Sequence, residues 1–172
     1  MKSLKIGDKV IYPNQGLGVV EAIHEEAYNG ERFTVFNLRI ISNNTLVTLP
    51  TATALELGIR RPMTEDSVRK LYQFIGDGDV DVTADWKGRY KEHLNLMKSG
   101  TLFDMATVLK SLYYLSLQKP LSFREKKMME KARELIVSEI SEAVASPMAK
   151  IEERLAGIKD WLERIGRKMG VA

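Results

Sequence analysis

Cysteine is absent from this chain of 172 residues, and histidine occurs only at His24 and His93. Without cysteine there is no disulfide framework, no thiolate metal site and no thiol nucleophile. The two histidines fall in different predicted elements, with no metal-ligand spacing between them. A glycine-rich phosphate loop is missing too, since Gly16-Leu17-Gly18 carries nothing else of a nucleotide fingerprint. Asp77, Asp79, Asp81 and Asp85 lack the glycine and closing glutamate of a calcium loop and read as a solvated linker. No apolar run approaches a membrane span, and the N-terminus lacks the apolar core of a signal peptide, so a cytoplasmic protein without membrane contact is expected. These absences weigh against an enzyme, a metal or a cofactor.

Charge is present but unevenly placed. The chain carries 26 Lys and Arg against 23 Asp and Glu, a net +3. Residues 1–60 hold six cations and six acids, whereas residues 86–133 hold eleven cations and four acids (Glu92, Asp104, Glu125, Glu130), a local +7. Such asymmetry suits a polyanion partner; a set of solvated helix faces gives the same count.

The first sixty residues read as strands. Lys9-Val10-Ile11-Tyr12 ends at the turn cluster Pro13-Asn14-Gln15-Gly16, and residues 18–26 make a second strand. Asn29-Gly30 is a hairpin signal, because both residues accept the positive φ of a type I′ turn. In the third strand Phe36, Leu38 and Ile40 share one face, and Phe33, Val35, Asn37 and Arg39 the other. Ser42-Asn43-Asn44 turns into a strand at residues 45–49, which Pro50 stops. This pattern predicts a small antiparallel β-barrel or strongly bent sheet of the Tudor or SH3 kind. The proline puts the last strand at an edge, open to strand addition or merely blunted.

Beyond a boundary at residues 51–62 the period becomes helical. Thr64 caps a first helix with Val68, Leu71, Tyr72 and Ile75 inward. Thr83 caps a second, on which Trp86, Tyr90, His93 or Leu94, and Met97 share a side. Thr101 with Asp104 starts a third, burying Leu102, Ala106, Leu109, Leu112 and Tyr113. Ser122-Phe123-Arg124-Glu125 is a capping box opening a fourth helix, with Arg124, Lys126, Lys127, Lys131 and Arg133 near its start. Ser146-Pro147 begins a last helix, with a seam at Ile151, Leu155, Ile158, Leu162, Ile165 and Met169 for its own domain or a second copy. The fold class is therefore α+β: a barrel over 1–60, then a compact all-α domain of four to five helices over 61–172, with 146–172 as an extra amphipathic helix.

Trp86 admits two roles. Its phase with Tyr90 and Met97 suits a core anchor. Its flanking cations and the small Gly88 suit a surface aromatic that wedges into or stacks on a base.

Several segments together resemble the CarD/CdnL family of bacterial transcription regulators: residues 10–16 (VIYPNQG), Val47-Thr48-Leu49-Pro50, Gly58-Ile59-Arg60, Trp86 with Arg89-Tyr90-Lys91, Ser99-Gly100, and residues 120–127 (PLSFREKK) with Ala132-Arg133. The resemblance runs over residues 4–145 in order. It implies a Tudor-like domain that pairs an exposed strand with the RNA polymerase β subunit, here through Phe36, Val47, Thr48, Leu49 and Pro50. It also implies that the helical domain stabilises the promoter open complex, with Trp86 wedged in the minor groove at the upstream bubble edge. Lys87, Arg89, Lys91, Lys126 and Lys127 are the implied DNA contacts, and sequence specificity is low. Gly88 stands where a cation often follows the tryptophan, and Glu26 and Thr48 stand where some members carry docking arginines. The chain would then be a monomer at the nucleoid, with residues 151–169 a possible dimer seam. The alternative is a β-barrel interaction module, like that of transcription-repair coupling factors, without direct DNA binding.

Overall fold

A computed structural model describes residues 4–77 and 86–168. The first strands are β1 (Lys9–Tyr12), β2 (Gly16–Tyr28), β3 (Glu31–Ile40) and β4 (Leu46–Pro50). They form one antiparallel sheet in the order β1-β2-β3-β4. Asn29 and Gly30 both take positive φ (51° and 85°), as a type I′ hairpin demands. β2 is long enough to serve two partners: its start pairs with β1 and nearly its whole length with β3. The register shift between Val20 and Ala22 places a bulge at Glu21, and a bulge bends the strand. The sheet accordingly curls into the expected half-barrel. Val10, Val20, Phe36, Leu38 and Ile40 fill its inner face.

Residues 51–62 do more than separate two halves. Thr51–Glu56 forms a short helix, α1, and Gly58 (φ 74°) lets the chain turn back after it. Ala54 and Ile59 then enter the sheet's core. The Ile11 N–H donates to the Arg60 carbonyl at 2.7 Å and the Arg60 N–H donates to the Ile11 carbonyl at 3.2 Å. One edge of the sheet, β1, is thereby covered. Asn-Gly-type turn signals are legible locally; this closure is a pairing across some fifty residues and leaves no periodic trace.

Contacts divide the chain between Pro62 and Met63. The second unit contains α2 (Glu65–Gly76), α3 (Trp86–Ser99), α4 (Leu102–Gln118), α5 (Phe123–Ala143) and α6 (Met148–Lys168). Thr64, Thr101 and Ser122 cap α2, α4 and α5 through their side-chain oxygens, as their sequence positions suggest. α2 buries Val68, Leu71, Tyr72 and Ile75, the expected four. α4 is the central helix: besides Leu102, Ala106, Leu109 and Leu112 it buries Met105, Val108 and Leu115, while Tyr113 is only half-buried. A helix packed on several sides shows no clean stripe, so spacing alone underestimates its burial. On α6, Ile151 and Leu155 are buried and Ile158 packs against the same core. This described part of the seam serves its own domain; Leu162, Ile165 and Met169 lie outside the described side chains, as does Trp161.

Gly18 marks where the half-barrel is tightest. A Cβ there would stand 2.8 Å from Leu38 Cδ1 and 3.2 Å from the Arg39 carbonyl oxygen. Leu38 is fully buried and the carbonyl belongs to the ladder, so neither gives way freely. Gly18→Ala should cost about 1–3 kcal/mol as an overpacking change. A urea titration with an unshifted midpoint would contradict this.

Candidate nucleic-acid interface

The buried charged side chains at the start of α3 and on α4 each have a partner whose identity explains why they are there, whereas the buried Tyr72 hydroxyl of α2 has no hydrogen-bond partner among the described residues. Arg89 is 2% exposed. Its guanidinium donates to Glu125 Oε1 at 3.2 Å. Glu125 also completes the capping box of α5: its Oε2 accepts from the Ser122 N–H at 2.9 Å and the Ser122 hydroxyl at 2.7 Å. Burial, the largest influence on Glu125, opposes ionisation; the Ser122 and Arg89 hydrogen bonds together still carry its pKa below the ordinary glutamate value. One helical turn beyond Arg89, His93 is 4% exposed and hydrogen-bonds the Ser111 hydroxyl of α4 at 3.1 Å. The ambiguity between His93 and Leu94 resolves to His93 as the inward residue, with Leu94 exposed.

Arg89 is thus a correction. Expected to hold a phosphate, it is instead enclosed and neutralised by Glu125. A cation flanked in sequence by other cations looks like surface, and the acid that claims it lies thirty-six residues away. Lys110 is a second case. Its ammonium donates to the Phe74 carbonyl at 2.8 Å, pairs with Asp77 and sits 4.5 Å from the Phe74 ring centre. It holds the C-terminal end of α2, where a cation is favoured by the helix dipole. Two of the eleven cations in residues 86–133 therefore never reach solvent, and the +7 overstates the surface charge.

What remains outside lies on the outer side of α3 and at the start of α5. Lys91 lies two residues beyond Arg89 and is exposed; Lys126 and Lys127 follow Glu125 and are exposed. Lys119 and Arg124 flank the same helix start and are exposed as well. Among the described residues no carboxylate lies within salt-bridge distance of these five. Lys131 and Arg133, further along α5, do meet acids, Glu134 at 3.2 Å and Glu152 at 3.8 Å. Trp86 is the first residue of α3. Its side chain, with that of Lys87 and the Thr83 cap, lies outside the described residues. Of the four aspartates, Asp77 is engaged by Lys110, and the other three fall outside the described segments.

The other expected contact surface is the β4 edge. β3 pairs with β4 through Asn37↔Thr48 and Phe36↔Leu49. The Ile40 N–H reaches the Thr45 carbonyl across this pair at 2.8 Å. Backbone groups alternate along a strand, so Thr45, Val47 and Leu49 face β3, while those of Leu46 and Thr48 face outward. Pro50 falls on the outward register, where a missing N–H breaks no ladder bond. Thr48 is exposed and its hydroxyl donates to Asn37 Oδ1 at 2.9 Å. Val47 and Pro50 are half-buried. Phe36 and Leu49 are corrections: both side chains point into the half-barrel core, 2% and 9% exposed, and present nothing to a partner. Leu46, 45% exposed and outward in register, belongs on this edge and went unnoticed in the sequence. Counting two residues back from Thr48 would have found it.

Two outcomes follow from the buried cluster. Burial first, and the Arg89 charge second, push His93 down to about 4 from 6.5. The unfolded chain then binds the extra proton between these values, so stability should fall as pH drops from 6.5 toward 4, by on the order of 3 kcal/mol in all. Chemical denaturation across pH 7 to 5 tests this, and His93→Gln should flatten the profile in that range. Arg89→Ala should cost about 3–5 kcal/mol, because it strands a half-enclosed carboxylate; a drop under about 0.5 kcal/mol would return Arg89 to the surface class.

No helix among the described residues is long and apolar enough to cross a membrane, and they hold no cluster of metal-ligating side chains. The half-barrel, residues 4–63, matches the model of the CarD-like/TRCF RID domain, and residues 70–156 match that of the CarD C-terminal domain. The chain is 32% identical over 137 residues to YdeB of Bacillus subtilis, named for a role as a transcription factor, across 79% of this chain and 89% of that protein. It is also 34% identical to the N-terminal domain of Myxococcus xanthus CarD, solved in solution, across 34% of this chain and 79% of that one, with a TM-score of 0.30. With both of its units matched in order, this chain belongs to the CarD-like family.

Proposed function

We propose that this protein docks on the RNA polymerase β subunit through the outward edge of β4 and holds promoter DNA with the basic surface at the starts of α3 and α5. Membership of the CarD-like family makes it an RNA polymerase-interacting transcription factor. In the finer reading Trp86 wedges into the minor groove at the upstream edge of the bubble, and Lys87, Lys91, Lys126 and Lys127 hold phosphates. No reaction is catalysed. Binding shifts promoter melting because an unstacked step accepts a wedge more readily than an intact duplex does. With contacts to phosphates and step shape, sequence preference is weak.

The observation carrying this reading is the group of exposed cations without carboxylate partners on the outer side of α3 and at the start of α5. Solvated faces usually interleave both signs. Here Glu125 is committed to Ser122 and Arg89, and the exposed Glu92 and Glu130 come within salt-bridge distance of none of these cations. On the barrel, Thr48 and Leu46 offer outward backbone groups for strand addition.

The test uses the full chain, polymerase holoenzyme and a promoter fragment. Lys126→Glu with Lys127→Glu should lower DNA affinity at low salt by tenfold or more, on the order of one phosphate contact each, and reduce the salt slope by about two. Trp86→Ala should shorten the open-complex lifetime while polymerase binding stays intact. Thr48→Pro removes an outward N–H without touching the β3 ladder, and should abolish capture by the polymerase β subunit. Unchanged DNA affinity after the charge reversals would leave only the barrel as a protein-interaction module.

A further inference from the structure

We infer that Phe123 is a second aromatic contact to nucleic acid, stacking on an unpaired base while the cations around it hold the neighbouring phosphates. The inference rests on the DNA-binding reading above and adds a residue and a strand state to it.

Phe123 opens α5 and is 71% exposed. The other described phenylalanines of this unit, Phe74 and Phe103, pack against each other edge to face with ring centres 5.6 Å apart. Phe123 has no such partner. Lys127 Nζ lies 4.8 Å from its ring centre, one turn further along the helix. Beside the ring is an open cleft of about 620 Å³, bounded by Lys119, Pro120 and Arg124 with the Arg89–Glu125 pair in its wall. Its backbone is held firmly, because the Ser122–Glu125 capping box fixes the first turn of α5.

Charge decides what fits. Lys127 lies over the ring, Lys119 and Arg124 line the cleft beside it, Lys126 is exposed on the same turn of α5, and none meets a carboxylate among the described residues. A second copy of this surface would be repelled. An apolar protein patch would leave four ammonium or guanidinium groups without counter-charge. A nucleic acid strand supplies phosphates for the cations and a flat face for the ring. In an intact duplex both faces of each interior base are already stacked, so the ring selects a melted strand. Arg89–Glu125 brings the start of α5 against the start of α3, the helix that Trp86 opens. Two helix starts, each opened by an aromatic, are therefore tied together by this pair.

The experiment measures lifetimes of the holoenzyme–promoter complex with the full chain, on a promoter fragment carrying a mismatched bubble and on its fully paired counterpart. Phe123→Ala should shorten the lifetime on the bubble fragment by about tenfold, within the range for loss of one base stack. Phe123→Tyr should stay within about twofold, and Phe123→Leu should resemble alanine, since a leucine cannot stack. Thermal midpoints should stay within about 3 °C, the side chain being exposed. Wild-type lifetime for Phe123→Ala, or full rescue by leucine, overturns the inference. If Trp86→Ala and the Lys126 and Lys127 reversals act while Phe123→Ala does not, only the role of Phe123 fails; if all are silent, the DNA reading fails with it.

Discussion

One carboxylate holds the helical unit in its working arrangement. Glu125 accepts from the Ser122 backbone, the Ser122 hydroxyl and the Arg89 guanidinium. The first two bonds start α5; the third ties it to α3. Removing either charge leaves the other facing a largely apolar interior, and such a loss exceeds what the pair itself contributes. The arrangement is therefore better understood as a register device than as a source of stability. It fixes which side of α3 turns inward, with His93 and Met97 following Arg89 at intervals of four. His93 remains neutral because the position beside Arg89 is both enclosed and positive.

A consequence is that function and scaffold draw on the same short segments. Within residues 89–93, Arg89 and His93 are internal and Lys91 is external. Within residues 122–127, Ser122 and Glu125 serve the cap, while Phe123, Arg124, Lys126 and Lys127 face solvent. A variant in either segment would abolish the proposed DNA binding by unfolding a helix start or by removing a contact. Only a stability measurement made beside the binding measurement separates the two.

The sequence displayed local physics well. Caps at Thr64, Thr101 and Ser122, the Asn29-Gly30 hairpin and the buried stripe of α2 all follow from interactions within four residues. What it hid was non-local. The bond of Arg60 to Ile11, the enclosure of Arg89 by Glu125 and of Lys110 by Asp77 and Phe74 each join positions tens of residues apart. Phe36 and Leu49 illustrate a subtler loss. Their strands were legible, and Phe36 grouped with Leu38 and Ile40 on one face, yet the family resemblance, which carries no alternation, set Phe36 and Leu49 on the docking edge. Period two assigns Leu46 and Thr48 to the outward backbone register at once.

The two proposed surfaces would make different physical demands. β-strand addition at β4 offers few outward groups, so it is short and weak alone. Phosphate contacts at the helix starts weaken steeply with salt. Neither surface needs high affinity if both engage one assembly, because the second contact then forms at the effective concentration set by the first. Modest individual affinity also preserves discrimination: a surface that gripped any duplex tightly would gain little from melting. In the proposed reading, the wedge and stack at aromatic residues supply the part of the binding energy that exists only when bases are unpaired. That differential part alone moves the equilibrium between closed and open promoter. The cations raise affinity for both states nearly alike, so their removal should weaken binding across promoter states, whereas removal of an aromatic should weaken it chiefly for the melted one.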